Sequence, residues 1–429
     1  MKVNIITLGC SKNVADSEHL AGHLVKAGFE VFFDRGRNDC DVVIVNTCGF
    51  IGDAKEESVD MLLEQVGVKR RGRKQRRLIA VGCLVERYKQ ELRAELPEVD
   101  AFYGVHEWED LVSYLKADFS GELESERLQS TPRHYAYLKI AEGCNRSCSY
   151  CAIPMIRGRH RSRPIDDIVA EARDMVADGV KELIVIAQDT TYYGLDLYGR
   201  RCLGELLERL ANESGAPWIR LHYTYPASFP EDALSVIAKY PNICKYIDIP
   251  LQHINSALLA SMQRGVDREA TLFLLSRFRQ EIPDVAVRTT LIVGYPGEGL
   301  AEFEELKEFV RQARFSRMGV FAYSPEEGTP AFGLGDPVDE DEKQRRVDEL
   351  MELQESISLE INAAKVGRRM KAIVDRREGD FWVGRTEYDS PEVDDEVLIY
   401  DHPSLRVGEF VDVMIEDALE HDLMGRVCQ

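Results

Sequence analysis

Long apolar runs are missing from this sequence. No stretch of about 18 consecutive apolar residues occurs, which is close to the length that a helix needs to cross a bilayer. The first ten residues, MKVNIITLGC, hold one lysine and a short apolar run without a cleavage-type site, so they are not typical of a signal peptide. Long low-complexity tracts are also absent. We therefore expect a globular protein that works in the cytoplasm.

Positive charge is in short supply. Lysine and arginine number 54 against 75 aspartates and glutamates, which gives a formal net charge of −21. This balance argues against a protein that binds nucleic acid mainly through its own basic surface, and it suits a basic partner better. The ten cysteines of a chain expected in a reducing compartment indicate metal ligands or catalytic groups rather than disulfides.

Strand and helix patterns alternate through the first part of the chain. Five apolar runs, separated by amphipathic stretches such as SEHLAGHLVKAG, predict strands. This alternation indicates an α/β fold with an N-terminal doubly wound parallel sheet. The predicted strands are VNIITLG (3–9), FEVFF (29–33), DVVIVNT (41–47), RLIAVG (77–82) and AFYGV (101–105).

The alternation restarts after residue 130 and supplies six more predicted strands, too few for a closed eight-stranded barrel. We expect a central partial (β/α)6 TIM-like barrel, then a long helix over 339–367. The last segment reads as short alternating strands broken by turns, which predicts a small antiparallel β-barrel. The predicted domains are 1–130, 131–366 (including the long helix) and 367–429.

Three cysteines stand within eight positions in EGCNRSCSYCAIP, spaced C-x3-C-x2-C: Cys144, Cys148 and Cys151. They follow the first predicted strand of the central domain, and functional sites of parallel α/β folds lie at that end of the strands. The spacing suits a 4Fe-4S cluster with one iron left open for another ligand. Two alternatives remain: a zinc site completed by a distant ligand such as His160, or three unrelated thiols.

Three further cysteines each follow a predicted strand of the first domain: Cys10, Cys48 and Cys83. Because the carboxyl ends of neighbouring parallel strands meet along one edge, these thiolates could form a second three-ligand cluster. Helices that begin just after the cysteines would favour the thiolate form. Coincidence is the alternative, since buried cysteines are common. The remaining four, Cys40, Cys202, Cys244 and Cys428, are interpreted as ordinary thiols.

The loop GCNRSCSYCAIPMIRGRHRSR resembles the cluster loop of the radical S-adenosylmethionine (SAM) superfamily. The whole chain resembles the methylthiotransferases of that superfamily, which carry a C-terminal TRAM domain. The resemblance is carried by TLGCSKNVADSE, NTCGFIGDAKEES, VGCLVERY, EGCNRSCSYCAIP, PLQHINSALLASMQRG and LIVGYPGE.

Several properties follow from this resemblance as expectations. It implies two 4Fe-4S clusters, an auxiliary one on Cys10, Cys48 and Cys83 and a radical-generating one on the loop cysteines, with SAM bound at the open iron of the latter. It implies a transferase that exchanges an unreactive C–H hydrogen for a methylthio group. It also implies a low-potential electron donor such as flavodoxin or ferredoxin, and it places Tyr150 near the cofactor.

The residues that contact SAM are harder to locate. We expect them at the carboxyl ends of the central strands. Gly294 has the alternative role of satisfying a turn, and His253 that of a structural histidine. The candidates besides Tyr150 are Gln188, Asp189, Gln252, His253, Arg288, Gly294 and Glu298.

Within the family, GCSKN around Cys10 and IPMIRGRHRSR resemble the branch that modifies an aspartate β-carbon in the twelfth protein of the small ribosomal subunit. The acidic segment 386–429, with two basic against thirteen acidic residues, suits such a basic partner. The basic stretch KRRGRKQRR (69–77) predicts a contact with ribosomal RNA, or is merely a solvated loop. The alternatives are a tRNA adenosine 2-methylthiotransferase and a non-enzymatic, zinc-stabilised adaptor that docks on ribosomes.

Overall fold

The computed structural model describes residues 1–33, 36, 39–71, 76–116 and 127–428. The chain divides into two compact units. The first comprises Met1–Thr131, Glu142–Arg146 and Cys151–His160, and the second comprises Pro132–Ala141, Ser147–Tyr150 and Arg161–Gln429. No helix in the described ranges is long and apolar enough to cross a membrane.

The first unit is built on a five-stranded parallel sheet in the order β2-β1-β3-β4-β5. The prediction of a parallel N-terminal sheet is confirmed. Its elements are β1 (Lys2–Thr7), α1 (Ser11–Lys26), β2 (Glu30–Phe32), β3 (Val42–Thr47), α2 (Gly52–Arg71), β4 (Arg77–Gly82), α3 (Cys83–Glu95), β5 (Ala101–Tyr103) and α4 (Trp108–Leu115).

Both faces of this sheet are covered, which explains its continuous apolar strands. All six residues of β3 are buried. Alternate residues of the strands enter two separate cores, one with α1 and α4 and the other with α2 and α3. A strand buried on both faces needs an uninterrupted β-branched run, and VVIVNT supplies it.

The next elements are β6 (Tyr135–Lys139), β7 (Ala141–Glu142), α5 (Ile153–Arg157) and β8 (Arg161–Ser162). The rest of the central region, all in the second unit, comprises α6 (Ile165–Ala177), β9 (Glu182–Ile186), α7 (Leu203–Glu213), β10 (Trp218–Leu221), α8 (Glu231–Lys239), β11 (Tyr246–Asp248), α9 (Ser256–Ser261), α10 (Arg268–Glu281), β12 (Ala286–Val293), α11 (Leu300–Ala313), β13 (Arg317–Ala322) and α12 (Glu340–Ala363). Short 3-10 helices cover Thr190–Tyr192 and Pro330–Leu334.

The six predicted central strands are β6, β9, β10, β11, β12 and β13. They form two parallel three-stranded sheets, β6-β9-β10 and β11-β12-β13, joined at an isolated parallel bridge between Ile219 and Ile243. The predicted open-sided arrangement is confirmed. The predicted long helix is α12, which begins after its N-cap Asp339 and packs on the core through Leu350 and Ile357.

The C-terminal strands are β14 (Arg369–Glu378), β15 (Phe381–Thr386), β16 (Glu396–Tyr400), β17 (Phe410–Ala418) and β18 (Asp422–Val427). They close into a barrel in the order β14-β15-β16-β18-β17. The predicted small barrel is confirmed, with one difference: β16 and β18 pair in parallel. In sequence, β17 lies between β16 and β18. It runs antiparallel to β18, so β18 has the same direction as β16.

A buried ionic cluster connects the C-terminal barrel to the central strands. Glu182 on β9 accepts from Arg220 Nε at 2.6 Å and from Arg385 Nη1 of β15 at 2.8 Å. Side-chain exposure is 0% for Glu182 and Arg220 and 2% for Arg385. Trp218 and Phe410 pack edge to face beside it, with ring centroids 4.8 Å apart. Because two buried arginines share the Glu182 carboxylate, loss of that negative charge should destabilise the protein.

Glu182→Gln should destabilise the second unit strongly, because it leaves Arg220 and Arg385 buried without their shared carboxylate. We expect a loss of about 3–5 kcal/mol, measured as a lower denaturant midpoint of the full chain. Glu308→Gln is the matched control, since its partner Arg311 is 3.5 Å away at an exposed position; such pairs contribute about 0–1 kcal/mol. Equal denaturant midpoints for the two variants would contradict the stabilising role that we assign to Glu182.

Candidate functional site

The cysteines of the first unit stand at the carboxyl ends of three neighbouring strands. Cys10 follows β1 and is the N-cap of α1, Cys48 directly follows β3, and Cys83 follows β4 as the first residue of α3. Since β1, β3 and β4 are adjacent in the sheet, the three thiols share one edge. Helices begin at Cys10 and Cys83 as predicted, whereas α2 begins only at Gly52.

Two glycines let the cysteine-bearing segments touch. Gly9 has φ +83°, and a Cβ there would lie 2.7 Å from Cys48 Cβ and 2.9 Å from its Sγ. A Cβ on Gly49 would lie 2.7 Å from the Cα of Leu84 and 2.9 Å from the carbonyl carbon of Cys83. Each contact is too close for a side chain, so Gly9 lies directly against the side chain of Cys48, and Gly49 lies directly against the backbone at Cys83 and Leu84.

Asn13 and Ser58 hold these segments in place, and the prediction from sequence included neither residue. Asn13 Nδ2 donates to the carbonyls of Leu8 at 2.8 Å and Thr47 at 3.2 Å. The backbone N–H of Cys48 donates to Ser58 Oγ at 2.9 Å. Buried amide and hydroxyl groups of this kind fix the backbone around each thiol.

Arg157, on α5 of the same unit, reaches the sulfur of Cys83. Its Nη2 lies 3.1 Å from Cys83 Sγ and 2.6 Å from Asn13 Oδ1. Its Nη1 pairs with Asp16 at 2.5 Å and with Glu142 at 3.3 Å. The arginine stands in IPMIRGRHRSR, which is part of the family resemblance, but its partners are distant in sequence and could not be inferred from that motif.

The surroundings raise the pKa of two of these thiols and lower the pKa of the third. Burial raises the pKa of Cys83 to about 12, against the opposing effect of Arg157. Burial and the neighbouring Cys10 raise the pKa of Cys48. At Cys10, which is exposed, desolvation also favours the neutral thiol, but Lys12, Arg157 and backbone N–H groups outweigh it and lower the pKa. A thiophilic metal that displaces the protons fits this donor set, because thiolates prefer soft ions.

The second set of cysteines lies on the loop between β7 and α5. Cys144 and Cys148 are buried, and Cys151 is half-buried. The backbone N–H of Cys144 donates to the carbonyl of Gly158 at 3.1 Å, and the backbone N–H of Arg146 points to Cys144 Sγ at 3.4 Å. Backbone N–H groups directed at sulfur stabilise the thiolate form.

Cys148 has a second buried arginine beside it. Arg264 Nη1 lies 3.4 Å from Cys148 Sγ and 3.2 Å from the hydroxyl of Tyr150. Tyr225 places its hydroxyl 3.4 Å from the same sulfur. Burial works to lower the pKa of Arg264, but Tyr150, Cys148 and Tyr225 raise it above the ordinary value. Tyr150, which the resemblance places near the cofactor, therefore contacts a cation that also contacts Cys148.

The described residues contain no group of three or more His, Cys, Asp or Glu side chains placed to hold a single metal ion. This does not favour the zinc alternative, in which His160 would complete the site. His160 is buried, and its backbone N–H donates to Asn145 Oδ1 at 3.1 Å. The ligands of a four-iron cluster each bind a different iron, so they need not surround one ion.

Two of the predicted SAM-binding residues keep polar atoms without a hydrogen-bond partner. Gln252, after β11, has φ +75°, and its Oε1 is buried and unpaired. His253 accepts from the N–H of Asn255 at 2.9 Å, while its Nε2 is unpaired. Burial lowers the pKa of His253 to about 3, so it is neutral. Buried unpaired atoms of this kind suit a polar ligand.

Two other candidates, Asp189 and Glu298, are engaged in contacts within the protein. Gln188 and Asp189 follow β9, and Asp189 caps the 3-10 helix by accepting from Thr191 N–H at 2.9 Å. Glu298 accepts from the Gly294 N–H at 2.7 Å. That carboxylate is also 2.9 Å from Arg346 Nη1.

Arg288 is not at a carboxyl end. It is the third residue of β12 and pairs with Asp248 at 3.1 Å and with Asp394 at 3.2 Å. The expectation that all SAM candidates stand at carboxyl ends is therefore wrong for Arg288.

Part of the acidic C-terminal segment is internal. Asp389 and Asp395 are buried and pair with Arg317 at 2.5 and 2.9 Å, and buried Asp394 pairs with Arg288. These three carboxylates attract the protein's own arginines. The balance of two basic against thirteen acidic residues therefore overstates the charge that this segment presents to a partner.

The basic stretch 69–77 is only partly within the described ranges, since residues 72–75 lie outside them. Lys69 donates to Asp100 at 2.6 Å and to the carbonyl of Glu98 at 2.8 Å, and Arg70 pairs with Glu98. Arg76 is buried. These members of the stretch contact the protein itself, which weakens the case for RNA binding at their positions.

Three family models match the chain. Residues 138–310 match the radical SAM superfamily, residues 366–428 match the TRAM domain, and residues 2–104 match a family described as uncharacterized protein family UPF0004. The matched ranges follow the three predicted segments in order.

The chain is similar over its whole length to curated proteins named ribosomal protein uS12 methylthiotransferase RimO. The protein from Bacteroides thetaiotaomicron is 52% identical over 428 residues, which covers 99% of this chain and 98% of that protein. The protein from Flavobacterium johnsoniae is 53% identical over 426 residues, covering 99% and 97%.

Among solved structures, the fold is similar to the radical SAM methyltransferase TsrM from Kitasatospora setae. The TM-score is 0.57 at 14% identity, and the match covers 88% of this chain and 81% of that one. The cobalamin-dependent radical enzyme OxsB gives a TM-score of 0.54 at 12% identity, covering 83% and 56%. At such identities the likeness shows the fold alone.

Gly9 offers a test of the packing around Cys48. Gly9→Ala places a Cβ against Cys48 and should lower the iron bound per chain, measured by iron and sulfide analysis after anaerobic reconstitution. Gly28→Ala is the matched control, because Gly28 has φ +88° but no atom lies within 4 Å of the position that its Cβ would take. Both variants carry the cost of a positive φ, so equal iron in the two would refute the steric explanation.

Proposed function

The chain belongs to the family of ribosomal protein uS12 methylthiotransferases named RimO, and on this premise we propose that it adds a methylthio group to the β-carbon of an aspartate in ribosomal protein uS12. It is a radical SAM enzyme and a transferase. The similarity that carries the proposal extends over 99% of the chain, so it includes every domain that the reaction would use.

We propose that Cys10, Cys48 and Cys83 hold an auxiliary 4Fe-4S cluster. The supporting observation is that these thiols stand at three neighbouring strand ends, where Gly9 and Gly49 allow the cysteine-bearing segments to approach closely. The loop cysteines Cys144, Cys148 and Cys151 would hold the radical-generating cluster, for which their spacing is suited. When bound, the two clusters and SAM supply the radical and sulfur chemistry that no side chain possesses.

The chain's own residues position these groups. Arg157 and Asn13 fix the surroundings of Cys83, and Arg264 does so for Cys148. Gln252 Oε1 and His253 Nε2 are buried and unpaired, so they would accept or donate hydrogen bonds to SAM. Because His253 is neutral and its Nδ1 accepts from Asn255 N–H, its Nε2 carries the proton and would donate, whereas Gln252 Oε1 would accept.

Two alternatives are not favoured. The relatives given above are named as ribosomal protein modifiers, which does not support a tRNA adenosine 2-methylthiotransferase. A zinc-stabilised adaptor finds no support in the arrangement of the described His, Cys, Asp and Glu residues.

We also propose the partners that the reaction would need. These are uS12, free or in the small ribosomal subunit, and a low-potential donor such as flavodoxin or ferredoxin. An enzyme that modifies a ribosomal protein would work in the cytoplasm. The TRAM domain, and the part of the basic stretch 69–77 that lies outside the described residues, remain candidates for contact with ribosomal RNA.

Iron content tests the two proposed clusters. The reconstituted chain should hold about eight irons, the sum of two four-iron clusters, and the triple variant Cys10→Ala, Cys48→Ala, Cys83→Ala should hold about four. Cys40→Ala, Cys202→Ala, Cys244→Ala is the matched control and should keep the full content, because these cysteines are buried at separate places. A wild-type content near four would refute the auxiliary cluster.

The substrate is tested in a deletion strain. Returning the intact gene should restore the mass increase of one methylthio group on a uS12 peptide, measured by mass spectrometry. Neither the triple variant nor the empty vector should restore it. Restoration of a methylthio nucleoside in tRNA, with the uS12 peptide unchanged, would instead support the tRNA alternative.

A further inference from the structure

Arg264 carries a buried charge for which the described protein offers no acidic partner. It is 3% exposed, and no Asp or Glu of the described residues lies within ion-pair distance of it. Its Nε has no hydrogen-bond partner either. A buried cation without a counter-charge is strongly unfavourable, so some anion is expected beside it.

Two groups that can lose a proton contact Arg264, the sulfur of Cys148 and the hydroxyl of Tyr150, and a thiol is ordinarily the stronger acid of the two. Nη1 of Arg264 lies 3.4 Å from the sulfur and 3.2 Å from the hydroxyl of Tyr150. Tyr225 packs under the guanidinium, whose central carbon is 4.2 Å from the ring centroid. Aromatic faces attract cations but do not neutralise them. Among the described groups that Arg264 contacts, the sulfur of Cys148 is therefore the one left to offset its charge.

The backbone holds Arg264 in this position at some cost. It stands between Gln263, with φ +55°, and Gly265, with φ +69°. A non-glycine residue in this region is strained and persists only where its surroundings impose it. The surroundings here include the cluster loop itself, since Ser149 N–H donates to the carbonyl of Met262 at 3.0 Å.

Arg157 is a buried arginine that, unlike Arg264, has acidic partners. It too donates to a cysteine sulfur, but Asp16 at 2.5 Å and Glu142 at 3.3 Å already balance its charge. Arg220 and Arg385 share Glu182. Arg264 differs from these in that its contacts include a cysteine sulfur but no carboxylate of the described residues.

We propose that Arg264 is a positioning residue that neutralises Cys148 and thereby raises the reduction potential of the cluster held by the Cys144 loop. The inference rests on the cluster assignment proposed above. Hydrogen bonds and positive charge at a cysteine sulfur stabilise the reduced cluster, because reduction adds negative charge. The cation would also favour assembly, since the thiolate must form when iron binds.

The test compares Arg264→Gln and Arg264→Lys in the full, anaerobically reconstituted chain. The readouts are iron per chain, the midpoint potential of the loop cluster from a redox titration followed by electron paramagnetic resonance, and KM for SAM. We expect Arg264→Gln to shift the potential to more negative values, and Arg264→Lys to recover at least half of that shift because it keeps the charge. Arg311→Gln, an exposed substitution with the same charge change, should leave the potential unchanged.

The outcomes separate the explanations. Full iron with an unchanged potential in Arg264→Gln would overturn the proposal, and a raised KM for SAM with that unchanged potential would reassign Arg264 to the SAM carboxylate. Loss of the loop iron in Arg264→Gln but not in Arg264→Lys would support the role of Arg264 as a counter-charge to Cys148. Equal loss of iron in both variants would overturn that role and show that the shape of the arginine side chain matters instead. A wild-type chain without the loop cluster would instead refute the proposed function.

Discussion

A parallel strand that is buried on both faces offers no side chain along its length for chemistry. In the first unit, β3 is buried at every residue, and its neighbours β1 and β4 are nearly so. Reactive groups must therefore stand where the strands end. Cys10, Cys48 and Cys83 follow those ends, and their arrangement as one set depends on this constraint more than on any contact among the thiols.

Buried charge is the second theme of the structure. Glu182 is shared by two arginines, and Arg157 is shared by two carboxylates and a sulfur. In each case a network of opposite charge offsets the cost of desolvation. Arg264 differs from these two residues because it contacts the sulfur of Cys148 and no carboxylate of the described residues.

The C-terminal acidic segment shows the limit of counting charges. Asp389, Asp394 and Asp395 belong to a stretch that sequence composition assigns to the solvent and to a basic partner. The fold turns them inward against Arg288 and Arg317, where they fasten the C-terminal barrel to the central strands. A charge acts on a partner only if the chain has not already used it, and composition does not report that.

Local and periodic features were readable from the chain alone: the strand runs, the long helix, the small barrel, and the two sets of three cysteines in their motifs. These depend on neighbours in sequence, since propensity, alternation and ligand spacing are local properties. The partners of Arg157, Arg264 and Glu182 were decided only by the tertiary structure. They come from segments tens to hundreds of residues apart, and which buried charges meet depends on three-dimensional packing that no single stretch of sequence records.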